Sequence, residues 1–540
     1  MDSVTRLLNR LNQLNEIGAS LSHEHDINRL LESILLAAKT ITNADGGTLY
    51  LMEAERKALR FEIMRTDSLG IFMGGTSGEA INFPELSLRD ENGDPNDSLV
   101  AVYAATHGRT VNIEDAYDTG PFDFSGTRRF DQRTGYRTKS VLAVPLKNNQ
   151  EEVIGVFQLI NALDPVTGEV VPFTVADQSL AVSLASQAAV ALTNRQLMSQ
   201  LEELFESFIN LINLAIDEKS PYTGGHCQRV PALTMMLAEA VNATDEGPFA
   251  DFKMSDRDRY ELKIAGLLHD CGKITTPVHV VDKATKLQTL FDRIELIDTR
   301  FELVKRDEEI RMLRQQLALR PQVDAAAENA LADVYLSNIK TMDEDRDFVR
   351  HTNKGGESMK DAAIQRVHDI GMRYKWRSGE APEVPFFSPD ELENLTIRAG
   401  TLTGAERGIV NHHIVATIRM LEKLPWPSHL RNVPEYAGGH HERMDGKGYP
   451  KGLKREQMSV QARVMGIADI FEALTACDRP YKQGMKLSQA MAILNNFRLN
   501  GHIDPDLFQV FLDKEVYKNY AALFLEPWQI DEIDPGSWKT

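Results

Sequence analysis

Five stretches between residues 226 and 469 carry imidazole or carboxylate side chains in places where a plain helix or loop has little use for them. "YTGGHCQRV" offers His226 at an expected helix start. "AGLLHDCGK" offers His269 and Asp270 at a helix end. "IVNHHIVATIRML" offers His412 and His413. "GGHHERMDGKGYP", residues 438–450, sets His440 and His441 in a loop with four glycines. "VMGIADIFEALTACDRPYK" places Asp469 inside an otherwise apolar helix. Each alone has a plain reading. The chain has 14 histidines, and the His-Asp pair recurs as "VHDIGMRY", where no lysine follows and a charged helix surface accounts for it. Asp469 is more telling, because a carboxylate on a buried face is costly unless it is paired or metal-bound. The simple alternative is an ion pair with Arg463. Taken together, the order H…HD…H…HH…D is a far stronger signal than any of its parts.

Imidazole and carboxylate donors without thiolate suit Fe, Mn, Ni, Zn or Co. Counting one of the 412/413 pair, seven such donors exceed the needs of one metal and suffice for two, especially if a carboxylate bridges. Two neighbouring metals are a standard device for hydrolysing phosphate esters. They bind the phosphate, lower the pKa of a bridging water and stabilise the leaving oxygen.

At 540 residues the chain is too long for one core, and two to four domains are expected. A formal net charge of −19 argues against binding nucleic-acid polymers or anionic membranes, which need a basic surface. The three cysteines, Cys227, Cys271 and Cys477, form no CxxC pair, and a reducing cytoplasm fits them. "MDSVTRLLNRLNQLNEIG" reads as an amphipathic helix start and not as a signal peptide. No run of about 18 apolar residues is present, so no membrane span is expected; "SLAVSLASQAAVAL" comes closest and is broken by its serines and glutamine.

Residues 15–195 read as an α+β domain, an antiparallel sheet with flanking helices. "INRLLESILLAAKTITN" is helical in period. "GGTLYLMEAERKALRFEIM" reads as two strands about a turn, and "KSVLAVPLKNNQEEVIGVFQLINA" as another hairpin. With "TGYRTKSVLAVPL", "GVFQLINA" and Phe173 and Asp177 opening the last helix, this segment resembles a GAF domain. "TRRFDQRTGYRTKSVL" is most similar to the GAF domains of cyclic-nucleotide phosphodiesterases, which implies a cyclic nucleotide as ligand; a ligand-free dimerising module is the alternative. In the linker, residues 196–215, Leu197, Leu201, Leu204, Phe208, Leu211 and Ala215 are spaced 4, 3, 4, 3, 4, a heptad seam suited to a parallel homodimer.

Residues 216–287 and 402–515 read as one all-α domain. Residues 288–401 read as a helical insertion within it, with an antiparallel coiled pair as the expected arrangement, opening on Leu287, Leu290, Ile294, Ile297, Phe301 and Val304 at spacings of 3, 4, 3, 4, 3. Residues 516–540 read as a C-terminal tail.

"HDCGK" (269–273), "HHERMDGKGYP" (440–450) and "IADIFEALTACDRPYK" (467–482) resemble the HD-GYP subgroup of the HD phosphohydrolases, which degrades the bacterial messenger cyclic di-GMP. The resemblance implies two divalent ions, Fe or Mn. His226, His269, Asp270 and Asp469 would hold one. Asp270 would bridge to a second, held by His413, His440 and His441. His413 is preferred over His412 because it follows "LT" at the family's spacing. Asp270 and Lys273 would be catalytic, with Lys273 on the scissile phosphate. Lys273, Arg479, Lys482 and Tyr449 would bind substrate. Asp445 would orient a ligand histidine. Where some members carry a glutamate for a third metal, this chain has Tyr222, which implies two metals and pGpG as the main product, with GMP slower. The expected protein is a cytoplasmic, dimeric, GAF-regulated cyclic di-GMP phosphodiesterase. Its rivals are a phosphodiesterase for another cyclic dinucleotide, and a weakly active receptor or scaffold signalling through the insertion.

Overall fold

A computed structural model describes residues 3–538 apart from 25, 54–56, 91, 119–120, 220–224, 320–324, 357, 377–383, 478–483 and 534. The chain divides into two compact units, Met1–Leu204 and Phe205–Thr540.

In the first unit, helices α1 (Ser3–His23) and α2 (Ile27–Thr42) precede strands β1 (Ala44–Met52), β2 (Ala58–Thr66), β3 (Ile71–Gly74) and β4 (Leu86–Ser87). Helix α3 (Val100–His107), β5 (Val111–Ile113) and α4 (Ser125–Thr134) follow, then β6 (Val141–Lys147), β7 (Val153–Leu163), β8 (Val170–Val171) and α5 (Val175–Lys219). The antiparallel sheet runs β3-β2-β1-β7-β6-β5, with β4 on β2 and β8 on β7. Alternation along the strands feeds two cores. On one face Leu142, Val144, Leu146, Phe157 and Leu159 pack with α2 and α5. On the other, Val141, Ala143 and Val156 pack with α3. Both faces are covered, so β6 and β7 read as nearly continuous apolar runs and not as a polar–apolar alternation.

Helix α5 is 45 residues long and runs unbroken past the end of the first unit. Among the described residues it is the one helix long and apolar enough to cross a membrane, at mean hydropathy 1.2, but half of that window is buried in the fold. Its apolar character therefore has a packing explanation.

The second unit contains α6 (His226–Asn242), α7 (Asp256–Leu268), a 3-10 turn (Cys271–Thr275) and α8 (Val278–Val281). The insertion follows with α9 (Ile294–Leu319), α10 (Ala325–Asn353), α11 (Asp361–Arg373) and α12 (Pro389–Leu395). Then come α13 (Gly404–Leu421), α14 (Val433–Gly438), α15 (Val460–Thr475), α16 (Leu487–Leu499), α17 (Pro505–Asp513) and α18 (Val516–Phe524). One core gathers Val230, Leu262, Ala437, Phe471, Leu494, Phe508 and Tyr517. The expected C-terminal tail is thus partly structural: Tyr517 and Tyr520 of α18 are fully buried.

The insertion has its own small core of Ile297, Phe301, Met342, Val349, Ile370 and Phe386. Its first two helices lie antiparallel, since Asp298, Lys305 and Glu308 meet Arg350, Asp343 and Asn338 in reverse order. Leu290 departs from the expected seam. Helix α9 begins only at Ile294, and Leu290 lies in the loop before it, 89% exposed. Two buried lysines tie the insertion's entry to its exit. Lys283 pairs with Glu406 at 2.7 Å and also donates to Asn394. Lys286 donates to the carbonyls of Leu395 and Ile397. With its ends sewn together, a long excursion leaves the surrounding helices in place.

Candidate metal centre

Local structure delivers each donor separately. Gly225, at φ +89, adopts a left-handed turn that starts α6 at His226. Helix α7 stops at Leu268, leaving His269 and Asp270 in the corner before the 3-10 turn. Helix α13 buries His413 at 3% exposure and leaves His412 exposed. Helix α14 ends just before His440 and His441, and α15 carries Asp469 and Glu472 on one face. A glycine makes the convergence possible. A Cβ on Gly272 would lie 2.0 Å from the His413 carbonyl oxygen and 2.6 Å from the Thr417 nitrogen. Without one, the Gly272 N–H donates to Thr417 Oγ1, and Asp270 Oδ1 comes within 3.2 Å of His413 Nε2.

The histidines are oriented by a common device. Nδ1 of His269, His413 and His440 each donates to the carbonyl three residues earlier, on Gly266, Val410 and Ala437, at 2.7, 2.5 and 2.7 Å. His226 Nδ1 donates to Glu472 Oε2 at 2.6 Å. With Nδ1 committed, Nε2 of His269, His413 and His440 is the nitrogen left to point inward. His226 Nε2 and His269 Nε2 then face each other at 3.4 Å, and His413 Nε2 lies 3.2 Å from His441 Nε2. His440 Nε2 is buried and has no hydrogen-bond partner among the described residues. A buried Nε2 without a partner among the described residues, set close to other inward-facing imidazoles and a carboxylate, is what a cation would satisfy, so the residues fit a metal. Among the described residues two groups bring their donors close, His226–His269–Asp270 and His413–His440–His441, each with donor atoms within 4.8 Å of one another. Asp469 Oδ1 lies 3.5 Å from His226 Nε2.

The protonation states of His440, His441, Asp270 and Asp469 agree. Burial pushes His441 down to about 4, and burial with the neighbouring His441 and His269 pushes His440 well down. Burial opposes charge on Asp270, yet Lys273 and His269 outweigh it and hold the carboxyl well below its usual range. Burial likewise opposes charge on Asp469, and His440, His226 and His441 hold it down. Neutral imidazoles beside ionised carboxylates are the states that metal ligation needs. Burial and Lys273 work against protonation of His226, but Glu472 and Asp270 raise it to about 9. The field at this spot calls for a positive charge, which a cation supplies in place of a proton. Lys273 Nζ sits 2.5 Å from Asp270 Oδ2.

The glycine-rich loop is held by a carboxylate. Buried Glu442 accepts from the backbone N–H groups of Lys451 at 2.7 Å and Leu453 at 2.8 Å. This folds the loop back so that Tyr449 stacks on His441, with ring centroids 4.8 Å apart. Tyr449 therefore forms a wall of the site. Asp445 does not orient a ligand histidine. It accepts from Arg443 and from the Lys447 N–H, at the outer edge of the loop. That part is played by Glu472, which is fully buried and also accepts from Arg229 at 2.9 Å. The signal for Glu472 was its place three residues after Asp469 in the same apolar helix. The ion pair considered for Asp469 is not formed with Arg463, which is engaged by Asp504. Arg479, Lys482 and Tyr222 lie outside the described residues. The second His-Asp pair, His368–Asp369, sits within α11, where Asp369 accepts from Gln365.

Family comparison agrees with this architecture. The GAF domain model matches residues 26–192, and HD domain models match 223–337 and 385–507. The chain is a GAF domain followed by HD domains. It is 40% identical over 124 residues to a cyclic di-GMP phosphodiesterase of Pseudomonas aeruginosa, covering 23% of this chain and 28% of that protein. It is 39% identical over 143 residues to a 3′3′-cGAMP-specific phosphodiesterase of Vibrio cholerae, covering 26% and 28%. It is 32% identical over 131 residues to a cyclic di-GMP phosphodiesterase of Thermotoga maritima, covering 24% and 34%. The chain spans about a third or less of the length of these curated relatives.

Proposed function

We propose that this chain is a metal-dependent phosphodiesterase that hydrolyses a 3′–5′ phosphodiester of cyclic di-GMP to pGpG, with GMP as a slower second product, under the control of its GAF domain. The observation that carries this is the position of Asp270. One oxygen faces His226, His269 and Lys273, while the other faces His413. A single buried carboxylate between two groups of imidazoles is suited to bridge two divalent ions. His226, His269, Asp270 and Asp469 would hold one, and Asp270, His413, His440 and His441 the other, with iron or manganese matching the donor set. When bound, such a pair supplies positive charge to the phosphate and a water acidified to near neutrality. The protein's own part is to hold neutral, oriented imidazoles and to place Lys273 as a fixed positive charge for the phosphate. Arg479 and Lys482 are assigned to the substrate's other phosphate and Tyr449 to a base. Tyr222, standing where a glutamate would bind a third metal, favours two ions and pGpG.

The GAF domain is assigned a cyclic nucleotide. Helix α5 is assigned a homodimer seam, because Leu197, Leu201, Leu204, Phe208 and Leu211 lie along it at heptad spacing and each is more than half exposed. A cytoplasmic enzyme fits the three unpaired cysteines. The identity with a cGAMP-specific enzyme supports cyclic GMP-AMP as the second substrate to consider.

The test is anaerobic purification, elemental analysis, then incubation with cyclic di-GMP or 3′3′-cGAMP and chromatography of the products. About two ions per chain with pGpG appearing is the expected result. Asp270→Ala should lose both metal and turnover; near-normal activity with full metal content in that variant would refute the site. Full metal with both substrates intact would refute the substrate class.

A further inference from the structure

The connecting helix does more than reach the HD unit; its last four turns are bonded to the segment that carries Asp270. Ile209 and Ile216, each 2% exposed, anchor one face of α5 in the HD core. Three polar side chains on this part of α5 then follow α7 and the turn beyond it in order. Glu206 meets Lys263 with both carboxylate oxygens at 2.9 Å. Asn213, 7% exposed, donates through Nδ2 to the Leu267 carbonyl at 3.0 Å. Lys219, at the end of α5, donates to the carbonyls of Ile274 and Lys273.

The acceptors are informative. The last carbonyls of a helix lack partners within it. In α7 two consecutive ones are taken, Gly266 by the ring of His269 and Leu267 by Asn213. The carbonyls closing the 3-10 turn, at its negative end, receive the Lys219 ammonium. Residues 269–273 are thus bracketed. Asn213 holds the chain two residues before His269, and Lys219 holds it at Lys273 and Ile274. The opposite face of α5, from Leu197 to Leu211, is exposed, so the helix has one docked side and one open side.

We propose that Asn213 and Lys219 are positioning residues for Asp270 and Lys273, and that the axial position of α5 sets the geometry of this turn. A shift of α5 along its axis carries both anchors in the same direction, drags the turn between Leu267 and Ile274 with them, and moves Asp270 relative to His413. This rests on the reading of Asp270 as a metal ligand, and it identifies α5 as the lever by which the HD site is regulated.

The test uses the full chain and Mn2+ alone as probe. Lys219→Ala and Asn213→Ala are compared with wild type and with Lys219→Arg, which keeps the donor. Backbone amides of residues 267–276 in the metal-free protein should exchange faster in both alanine variants, by more than amides elsewhere in the second unit, while the melting temperature falls by no more than a few degrees. Mn2+ affinity should fall about tenfold, as for loss of an outer-shell partner. Turnover of cyclic di-GMP should fall in kcat with KM unchanged. Lys219→Arg should restore all three. Wild-type exchange and wild-type Mn2+ affinity in both alanine variants would overturn the coupling. A wild-type protein that binds Mn2+ without hydrolysing cyclic di-GMP would overturn the functional reading instead, and the exchange and affinity readouts would still decide the coupling.

Discussion

Replacing Glu472 by glutamine isolates the orientation of one proposed metal ligand, His226. Glu472 is fully buried and uses both oxygens as acceptors, Oε1 from Arg229 and Oε2 from His226 Nδ1. A glutamine of the same shape has one acceptor and one donor. Arg229 engages Oε1 through both Nε and a terminal nitrogen, at 2.9 and 2.7 Å, so the amide oxygen is kept there. The amide NH2 then faces His226 Nδ1, donor against donor. The ring escapes by moving its proton to Nε2, the nitrogen that points at Asp270 from 2.9 Å. A protonated Nε2 cannot ligate, so each binding event must also restore the unfavourable tautomer. Loss of such an outer-shell carboxylate costs about ten- to a hundredfold in metal affinity, which is roughly 1.4–2.7 kcal/mol. The reduced charge at Arg229 costs the metal-free fold about 1 kcal/mol more. Glu472→Gln should therefore bind Mn2+ at least tenfold more weakly in a chelator competition, while its metal-free melting point falls by only a few degrees. Wild-type Mn2+ affinity in Glu472→Gln would refute the orienting role.

Gly272→Ala should fold but fail to load metal in an elemental assay, because its Cβ would strike the His413 carbonyl oxygen 2.0 Å away and force the Asp270 turn off α13. Phe471→Ala, emptying a fully buried site against Phe511 and Tyr520, should cost about 3–5 kcal/mol in urea unfolding. Lys283→Met should cost roughly 3 kcal/mol by leaving Glu406 and Asn394 without their buried partner. That cost should depend on pH. Burial opposes charge on Glu406, but Lys283 and the Thr403 N–H outweigh it and lower the carboxyl. A lowered carboxyl contributes stability that is present above its unfolded value and lost as pH falls through its folded value. Urea unfolding at pH 7 and at pH 3 should accordingly show the variant's deficit shrinking in acid.

The sequence made the candidate donors legible because their chemistry is conspicuous. Adjacent histidines in a glycine loop, and an aspartate among apolar residues, have few innocent uses. The hairpins of the GAF sheet were legible for a related reason: β6 and β7 are apolar enough to be buried on both faces and are joined by a polar turn. The orienting groups were harder to see. Glu472 and Glu442 are ordinary glutamates in sequence, and only the meeting of α6 with α15, or the folding back of residues 442–453, gives them buried partners. Asp445 was misread for the converse reason. It stands inside the motif, yet the turn at Gly446, φ +76, directs it outward to Arg443. Leu290 looked like part of a seam because spacing alone cannot locate where a helix begins. Exposure, in turn, separates His413 from His412, a choice one residue wide that rests on which face of α13 is buried.

The anchors of α5 were the least legible, because their partners are backbone carbonyls, and a carbonyl leaves no trace in a sequence. Lys219 and Asn213 read as polar residues on a helix with an apolar stripe, and that stripe drew attention to the opposite face. This follows from how such a site is built. Metal donors must be particular residue types, whereas the groups that fix their position need only a donor or acceptor in the right place. Substitutions at ligand positions should therefore abolish metal binding, while substitutions at Glu472, Asn213 or Lys219 should grade it. Regulation needs the second kind of residue. A helix that grips carbonyls can shift the site by small amounts and return, without giving up any of the side chains proposed to hold the ions.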